Sequence, residues 1–227
     1  MTRRSWLAAI VSLFGIGVAR SAVGSAVAAL PGFEKFLEHF PPDSEVRPCS
    51  EAACRAYAGK LPDALLRLWR EVGRGSYGGG LLFLTDPAAW EETLSAWLLG
   101  NIEGRYLIAR SAFGDLFYYR DKGLHEVGGE TVHVEDVSRL DPHRPHAEVC
   151  AWSLEAFFDD YLCAPEAPAE ALRKPLFDAA VARLGRPTGD DGFYFVPALA
   201  LGGSGSAASI GKGDMMVHLH ILVQLHQ

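Results

Sequence analysis

The stretch RYLIARSAFGDLFYYRDKGLHEVGGETVHVEDV, residues 105–137, decides the fold class, because its hydrophobic pattern is that of short strands. Four runs rich in β-branched and aromatic residues are separated by the turn-forming sequences SAFG, KG and GG. Such turns between short apolar runs are typical of antiparallel hairpins. The stretch therefore predicts an antiparallel meander of four strands, at 105–110, 115–121, 124–127 and 131–137.

Helical patterns precede this meander. Apolar residues recur at helical spacing in GFEKFLEHF, in LPDALLRLWREVG and, after a short buried strand at 81–84, in the segment that begins at Pro87. Pro62 suits the first turn of the second helix, and Gly73 suits its end. The three apolar stripes are Phe33, Phe36, Leu37 and Phe40; Leu65, Leu68, Trp69 and Val72; and Trp90, Leu94, Trp97 and Leu98. Helices packed on a mainly antiparallel sheet predict an α+β fold.

The C-terminal part predicts a smaller α/β subdomain. SLEAFFDDYLC, which Ser153 can cap, and a segment from Pro175 have helical patterns, and FYFVPALAL (193–201) is an extended run that Pro197 interrupts. The final segment, MMVHLHILVQLHQ, fits both periods, but alternation has more matches and predicts a strand. Its alternating residues are Val217, Leu219, Ile221, Val223 and Leu225.

These patterns divide the chain into a first domain over 31–140 and a second over 150–227, joined by the connector DPHRPH (141–146). Residues 1–30 have a basic start, a thirteen-residue apolar run and an Ala-Val-Ala site, and TRRSWL is similar to a twin-arginine signal. The segment is either a secretory signal or the product of a start codon set too far upstream. Its apolar run is short for a membrane span, which needs about 20 residues.

The charge balance bears on the kind of partner. The 227 residues carry a net charge of −7, and beyond the first 28 residues 18 basic residues face 28 acidic ones, a net of −10. Phosphate contacts need clustered cations, so this balance argues against a surface that binds nucleic acid. A charged partner of this protein is therefore expected to be basic.

A glycine-rich stretch, GGSGSAASIGKGD (202–214), raises the question of phosphate binding. A Walker loop needs a glycine five residues before its Gly-Lys pair and a hydroxyl residue after the lysine. Ser206 and Gly213 occupy those two positions here. The stretch therefore predicts a flexible connector and no nucleotide cofactor.

Candidate catalytic and metal-binding residues are few. His218 and His220, with His226 nearby, could share a zinc ion if the last segment were a strand, although surface positions are the simpler interpretation. No nucleophile elbow, HExxH motif or reactive-cysteine signature is present. SAFGD (111–115) predicts a tight turn in which Asp115 makes a local hydrogen bond. The absence of a catalytic constellation favours a binding protein over an enzyme.

Several stretches together resemble a bacterial family, the GAD-like domain proteins that carry the C-terminal domain of Tdi-type immunity proteins of type VI secretion. GFEKFLEHFPP looks like the opening helix of that family, and IARSAFGDLFYY resembles its most recognisable strand-turn-strand. LFDAAVARLGRPTGDDGFYFVPALALGG and VHLHILVQL are similar to the C-terminal immunity domain. The central signature is carried by Gly59, Lys60, Leu61, Pro62, Leu65, Trp69, Gly73, Tyr77, Gly80 and Pro87. The resemblance covers residues 32–226.

This resemblance implies a non-catalytic antitoxin that binds a cognate secreted effector, often a DNase. An acidic inhibitor suits the cationic groove of a nuclease. We expect the toxin-facing surface to include Asp159, Asp160, Asp190 and Asp191, because these residues flank connectors, where binding residues concentrate. The expected location is the cytoplasm, where the DNA is, with no stable membrane insertion.

Two alternatives stay open at this point. The first is an exported envelope protein, either an immunity protein against a periplasmic toxin or a binding module, for which cleavage after Ala28 would be the distinguishing observation. The second is a metal-dependent hydrolase that uses the terminal histidines. The four cysteines, Cys49, Cys54, Cys150 and Cys163, match no redox or zinc spacing and do not decide the compartment.

Overall fold

The computed structural model describes residues 30–226. Apart from Leu30, the signal-like N-terminal segment lies outside the described residues.

A six-stranded antiparallel sheet, with its strands in sequence order, forms the centre of the fold. The strands are β1 (Gly75–Tyr77), β2 (Leu82–Leu84), β3 (Arg105–Ser111), β4 (Leu116–Val127), β5 (Glu130–Asp141) and β6 (His146–Ala151). The predicted meander is confirmed, but LHEV is not a strand of its own. It continues β4 past an irregularity between Asp121 and Leu124. DPHRPH is the turn between β5 and β6.

Helices pack on both faces of this sheet, and the predicted α+β class is confirmed. They are α1 (Glu34–His39), α2 (Glu51–Arg55), α3 (Asp63–Glu71), a 3-10 turn (Pro87–Trp90) and α4 (Glu91–Trp97). The predicted stripes of α1 and α3 are buried in one core that includes Trp69. Gly73 follows α3 with a φ of 131°, a conformation that glycine adopts at little cost.

The C-terminal part adds a second, two-stranded sheet. Its elements are a π-helix (Ala156–Tyr161), α5 (Ala167–Glu170), α6 (Lys174–Leu184), β7 (Asp191–Phe195), β8 (Ile210–Asp214) and α7 (Met215–Leu225). Strands β7 and β8 pair antiparallel. Ser153 caps the start of the predicted helix, because its hydroxyl accepts a hydrogen bond from Ala156 N at 3.1 Å. Pro197 follows β7 and ends the extended run early.

The strand predicted for the last segment is wrong, because residues 215–225 form helix α7. Asp214 caps this helix by accepting a hydrogen bond from Val217 N at 3.0 Å. The buried residues follow a helical spacing: Met215, Leu219, Leu222 and Val223. Val217 and Ile221, which belonged to the alternating pattern, are exposed. Within residues 30–226, no helix is both long and apolar enough to cross a membrane.

Candidate functional site

The four aspartates expected to face a toxin lie on two separate elements. Asp159 and Asp160 are on the π-helix, against α1, whereas Asp190 and Asp191 lie at the start of β7. Among residues 30–226, no hydrogen bond or ion pair joins the two pairs.

Two of these aspartates already have structural partners. Asp159 accepts a hydrogen bond from Phe36 N at 3.0 Å, and Asp191 lies 4.0 Å from Lys212 Nζ. Asp160 and Asp190 are exposed, and Asp160 makes only a surface ion pair with Lys35 at 3.3 Å. An exposed ion pair of this kind contributes little to stability. The carboxylates of Asp160 and Asp190 are therefore both accessible to a partner.

A buried ion cluster lies at the SAFGD turn. Asp115 is fully buried and accepts hydrogen bonds from the Ser111 hydroxyl at 2.6 Å, from Arg139 Nη2 at 2.6 Å and from Arg173. Burial by itself would raise the pKa of Asp115, but the two guanidinium groups hold that pKa below its usual value. The predicted local hydrogen bond is confirmed, whereas the two arginine partners were not predicted, because they lie far from Asp115 in the chain.

Arg173 connects the two halves of the chain through this cluster. It lies before α6 with a φ of 51°, a left-handed conformation that is strained for a residue with a side chain. Its guanidinium donates hydrogen bonds to the carboxylates of Asp115 and, at 2.8 Å, of Asp141 in β5. The cluster therefore attaches the C-terminal part to the central sheet.

Arg110 provides a second buried attachment. Its guanidinium lies 3.8 Å from the ring centroid of Phe83 and donates to the carbonyls of Gly189 (2.8 Å) and Asp191 (3.0 Å). Burial lowers the pKa of Arg110 to about 10, so the group still carries its charge at neutral pH. The N–H of Phe193 also donates to the carbonyl of Ala112 at 2.8 Å. Strand β7 is thus fixed against the end of β3.

Glycines of the sequence signature allow the two parts to approach closely. A Cβ at Gly80 would lie 2.8 Å from the Pro187 carbonyl oxygen, and a Cβ at Gly114 would lie 2.6 Å from Met215 Sδ. Both glycines also have positive φ angles, 91° and 82°. Glycine is needed at these positions for its conformation and for the space it leaves.

The terminal histidines do not form the zinc site that a strand would have allowed. His218 and His220 are two residues apart on a helix and so do not share a face. His218 stacks on Tyr194 with ring centroids 4.5 Å apart, while His220 Nε2 lies 3.5 Å from the hydroxyl of Thr93. Within residues 30–226, no group of three or more His, Cys, Asp or Glu side chains is placed to hold a metal ion.

The buried His143 and the half-buried His218 form a pair with ring centroids 6.4 Å apart. His143 Nε2 donates to the Phe113 carbonyl at 2.8 Å. Burial lowers the pKa of both imidazoles, that of His218 to about 4. Both rings are therefore neutral at physiological pH.

The glycine-rich stretch contains no phosphate cradle. Gly211, Lys212 and Gly213 lie within strand β8, and the side chain of Tyr194 packs across the two glycines. A Walker loop connects a buried strand to the helix that follows it, and the backbone N–H groups of the loop are free to bind phosphate. The expectation of a connector holds for residues 202–206, before the 3-10 turn Ala207–Ser209.

Two clefts adjoin at Lys60, which lines both. One, of about 430 Å³, lies between Tyr57, Glu91 and Tyr106; the other, of about 390 Å³, is lined by Asp63, Asp121, His133 and Glu135. The second cleft carries three carboxylates against one lysine. Its chemistry therefore favours a cationic group over an anion.

Three of the four cysteine thiols, those of Cys54, Cys150 and Cys163, are not activated as nucleophiles. Burial raises the pKa of Cys54 and of Cys163 to about 11, and that of Cys150 to about 12. The thiolate is the reactive form, so these three side chains are poor nucleophiles at neutral pH.

Comparisons with known proteins agree with this architecture. Residues 32–130 match the GAD-like domain, and residues 153–226 match the family described as T6SS immunity protein Tdi1, C-terminal. The crystal structure of Atu4351 from Agrobacterium tumefaciens is similar, with a TM-score of 0.63 and 15% sequence identity, over 85% of this chain and 88% of that chain. This likeness shows a common fold. None of the curated proteins compared with the chain matches it.

Residues 32–130 are therefore a GAD-like domain, as the resemblance in the sequence predicted. The C-terminal domain of the chain is of the Tdi1 type found in immunity proteins of the type VI secretion system. The Asp115 cluster and Arg110 make buried polar contacts between the two domains.

Proposed function

We propose that this protein is a non-catalytic immunity protein that binds a cognate type VI secretion effector and neutralises it. The match of residues 153–226 to the Tdi1 immunity family carries the proposal. The buried attachments at Asp115 and Arg110 support it, because they hold both domains in one arrangement and so present a continuous surface to a partner.

We further infer that the effector is a nuclease. The body of the protein carries a net charge of −10, and the nucleic-acid groove of a nuclease is lined with cations. Asp160 and Asp190 are exposed and can approach such a groove, with Asp159 and Asp191 beside them. Carboxylates placed there occupy the positions of phosphates and speed association.

The proposed location is the cytoplasm. A nuclease delivered into a bacterial cell must be inhibited where the DNA is. The mass of the native protein tests this proposal: an N-terminus beginning after Ala28 would identify a processed, exported protein and contradict it. We expect the native protein to begin at residue 28 or earlier and to show no cleavage after Ala28.

The family resemblance implies that such proteins are encoded beside their effectors. The function itself is therefore tested by co-expressing the full chain with the product of the adjacent gene. We expect protection of the cells, intact chromosomal DNA and co-purification of the two proteins. A toxin that remains fully active beside the expressed chain, with no complex, would overturn the proposal.

The electrostatic part is tested with a charge-matched pair of variants. Replacing Asp159, Asp160, Asp190 and Asp191 by Asn should slow association with the effector and reduce its dependence on salt. The control replaces four exposed glutamates by Gln: Glu71, Glu92, Glu166 and Glu170. An equal effect of the two variants would show that only net charge matters and that the four aspartates are not the contact surface.

A further inference from the structure

Strands β4 and β5 extend beyond the rest of the sheet. Strand β3 pairs with β4 only as far as Arg120, and β6 pairs with β5 only from Val137 onward. Residues 122–135 therefore form a two-stranded projection, the hairpin arm, which turns at Gly128 and Gly129 with φ angles of 64° and 88°. Within residues 30–226, no further strand pairs with either of its outer edges.

The hairpin arm exposes apolar side chains. All ten residues from 124 to 133 are exposed, among them Leu124 (72%), Val127 (58%) and Val132 (36%). A two-stranded hairpin without a covering layer is at best marginally stable in water, and free strand edges invite pairing. A partner protein that covers the arm would stabilise the hairpin and shield its free strand edges.

The register of the arm places its apolar and acidic residues together. His125 pairs with Val132, and Val127 pairs with Glu130. Residues directly opposite each other, and their diagonal neighbours, share a face of an antiparallel pair. The two valines and Glu130 therefore lie on one side of the arm, the valine face.

The charge of the arm is negative. It carries three glutamates, Glu126, Glu130 and Glu135, against one lysine, Lys122. Lys122 is already engaged, because its Nζ lies 2.6 Å from the buried Asp136 and 5.1 Å from the ring centroid of Trp152. The cleft with three carboxylates lies at the base of the arm. Exposed acidic groups around an apolar face fit a partner surface that is apolar at its centre and basic at its rim.

We infer that the hairpin arm is a docking element for the basic surface of the effector. The valine face packs against an apolar groove of the partner, while Glu130 on the same face pairs with a lysine or arginine side chain beside that groove. This inference rests on the proposed function and names a surface for it.

Helix α7 offers a rival surface, the exposed stripe Val217, Ile221 and Leu225. No charged residue lies between Met215 and Leu225, so this stripe does not select for the charge of a partner. The arm combines apolar area with charge and is therefore the stronger candidate.

The test uses the full chain with three substitutions on the valine face: Val127→Thr, Val132→Thr and Glu130→Gln. Threonine keeps the β-branched shape, so folding should be unchanged. The control carries Val217→Thr and Glu92→Gln, which remove an exposed valine of the rival stripe and an exposed acid of α4. Affinity for the product of the adjacent gene is measured by calorimetry, and the mass of each free protein by light scattering.

We expect the arm variant to bind at least about tenfold more weakly and the control to stay within about twofold of the unmodified chain. Unchanged binding by the arm variant beside a binding unmodified chain would overturn the inference and leave the proposed function standing. A loss of binding confined to the control variant would also overturn the inference. The same holds if the unmodified chain is a dimer and the arm variant is a monomer, because the arm would then contact a second copy of the chain. An unmodified chain that binds no effector would overturn both.

Discussion

At the scale of single residues, the buried charges have structural roles that their sequence neighbours do not reveal. Asp115 lies in a turn whose local hydrogen bond is predictable, but its guanidinium partners are 24 and 58 residues away. Pairing over such distances leaves no periodic signal in a sequence. The same holds for Arg110, which lies among apolar strand residues and is buried beneath the C-terminal domain.

The Asp115 cluster gives the first prediction. Asp115→Asn removes the buried carboxylate that Arg139 and Arg173 share and leaves Asp141 as the carboxylate near both, so it should lower the free energy of unfolding by about 3–5 kcal/mol. Asp178→Asn removes a carboxylate from an exposed pair with Lys174 and should cost less than about 0.5 kcal/mol. Urea unfolding of both variants measures this difference. Equal midpoints would show that the cluster does not stabilise the fold.

The pair formed by His143 and His218 gives a prediction about the pH dependence of stability. The pKa of His218 is about 4 in the folded protein and about 6.5 in an unfolded chain, so between these values the unfolded chain binds more protons. Stability from this group is present above pH 6.5 and is lost as the pH falls toward 4. His218→Phe keeps a ring against Tyr194 and should flatten the pH dependence of the unfolding free energy between pH 7 and 5. A dependence as steep as that of the unmodified protein would contradict this assignment.

At the scale of elements, the last helix shows where periodicity failed. The eleven residues of α7, all apolar or histidine except Gln224, fit a strand and a helix almost equally, since short apolar runs carry little periodic information. Asp214 favours the helix because it caps the first turn. Met215 and Leu219 are buried against the SAFGD turn, and this packing determines which side of the helix faces inward. The long β4–β5 hairpin was also divided wrongly, because Gly123 looked like a turn and lies within β4 instead.

The cap of α7 can be tested directly. Asp214→Ala removes the side chain that accepts from Val217 N and should destabilise the protein by about 1 kcal/mol. Asp190→Ala removes the same charge from an exposed position near Arg110 and serves as the control. Thermal unfolding followed by circular dichroism compares the two. A larger loss for Asp190→Ala would show that charge near Arg110 matters more than the cap.

At the scale of the whole molecule, the two family domains share one core. The ring centroids of Phe33 and Phe158 lie 5.0 Å apart, and those of Phe36 and Phe158 lie 4.8 Å apart, so the first helix packs on the π-helix of the second domain. Arg173 and Arg110 add buried polar contacts between the same parts. Such domains are expected to unfold together.

Hydrogen exchange measured by mass spectrometry tests this expectation. Peptides from β3–β5 and peptides from α6–β7 should open with the same free energy at low denaturant. A C-terminal domain that exchanges at a lower free energy than the sheet would show that the two domains unfold independently. The Asp115→Asn variant should lower both values together.

The sequence by itself determined the meander, the buried stripes of α1 and α3, the α+β class and the family, because these depend on local periodicity and short motifs. It also excluded a phosphate cradle by spacing alone. The structure decided that α7 is a helix, that β4 and β5 extend as a free arm, and that Asp115 meets Arg173. The Asp115–Arg173 contact and the packing of α7 against the SAFGD turn join residues distant in the chain, and their energies depend on burial and geometry that no local pattern encodes.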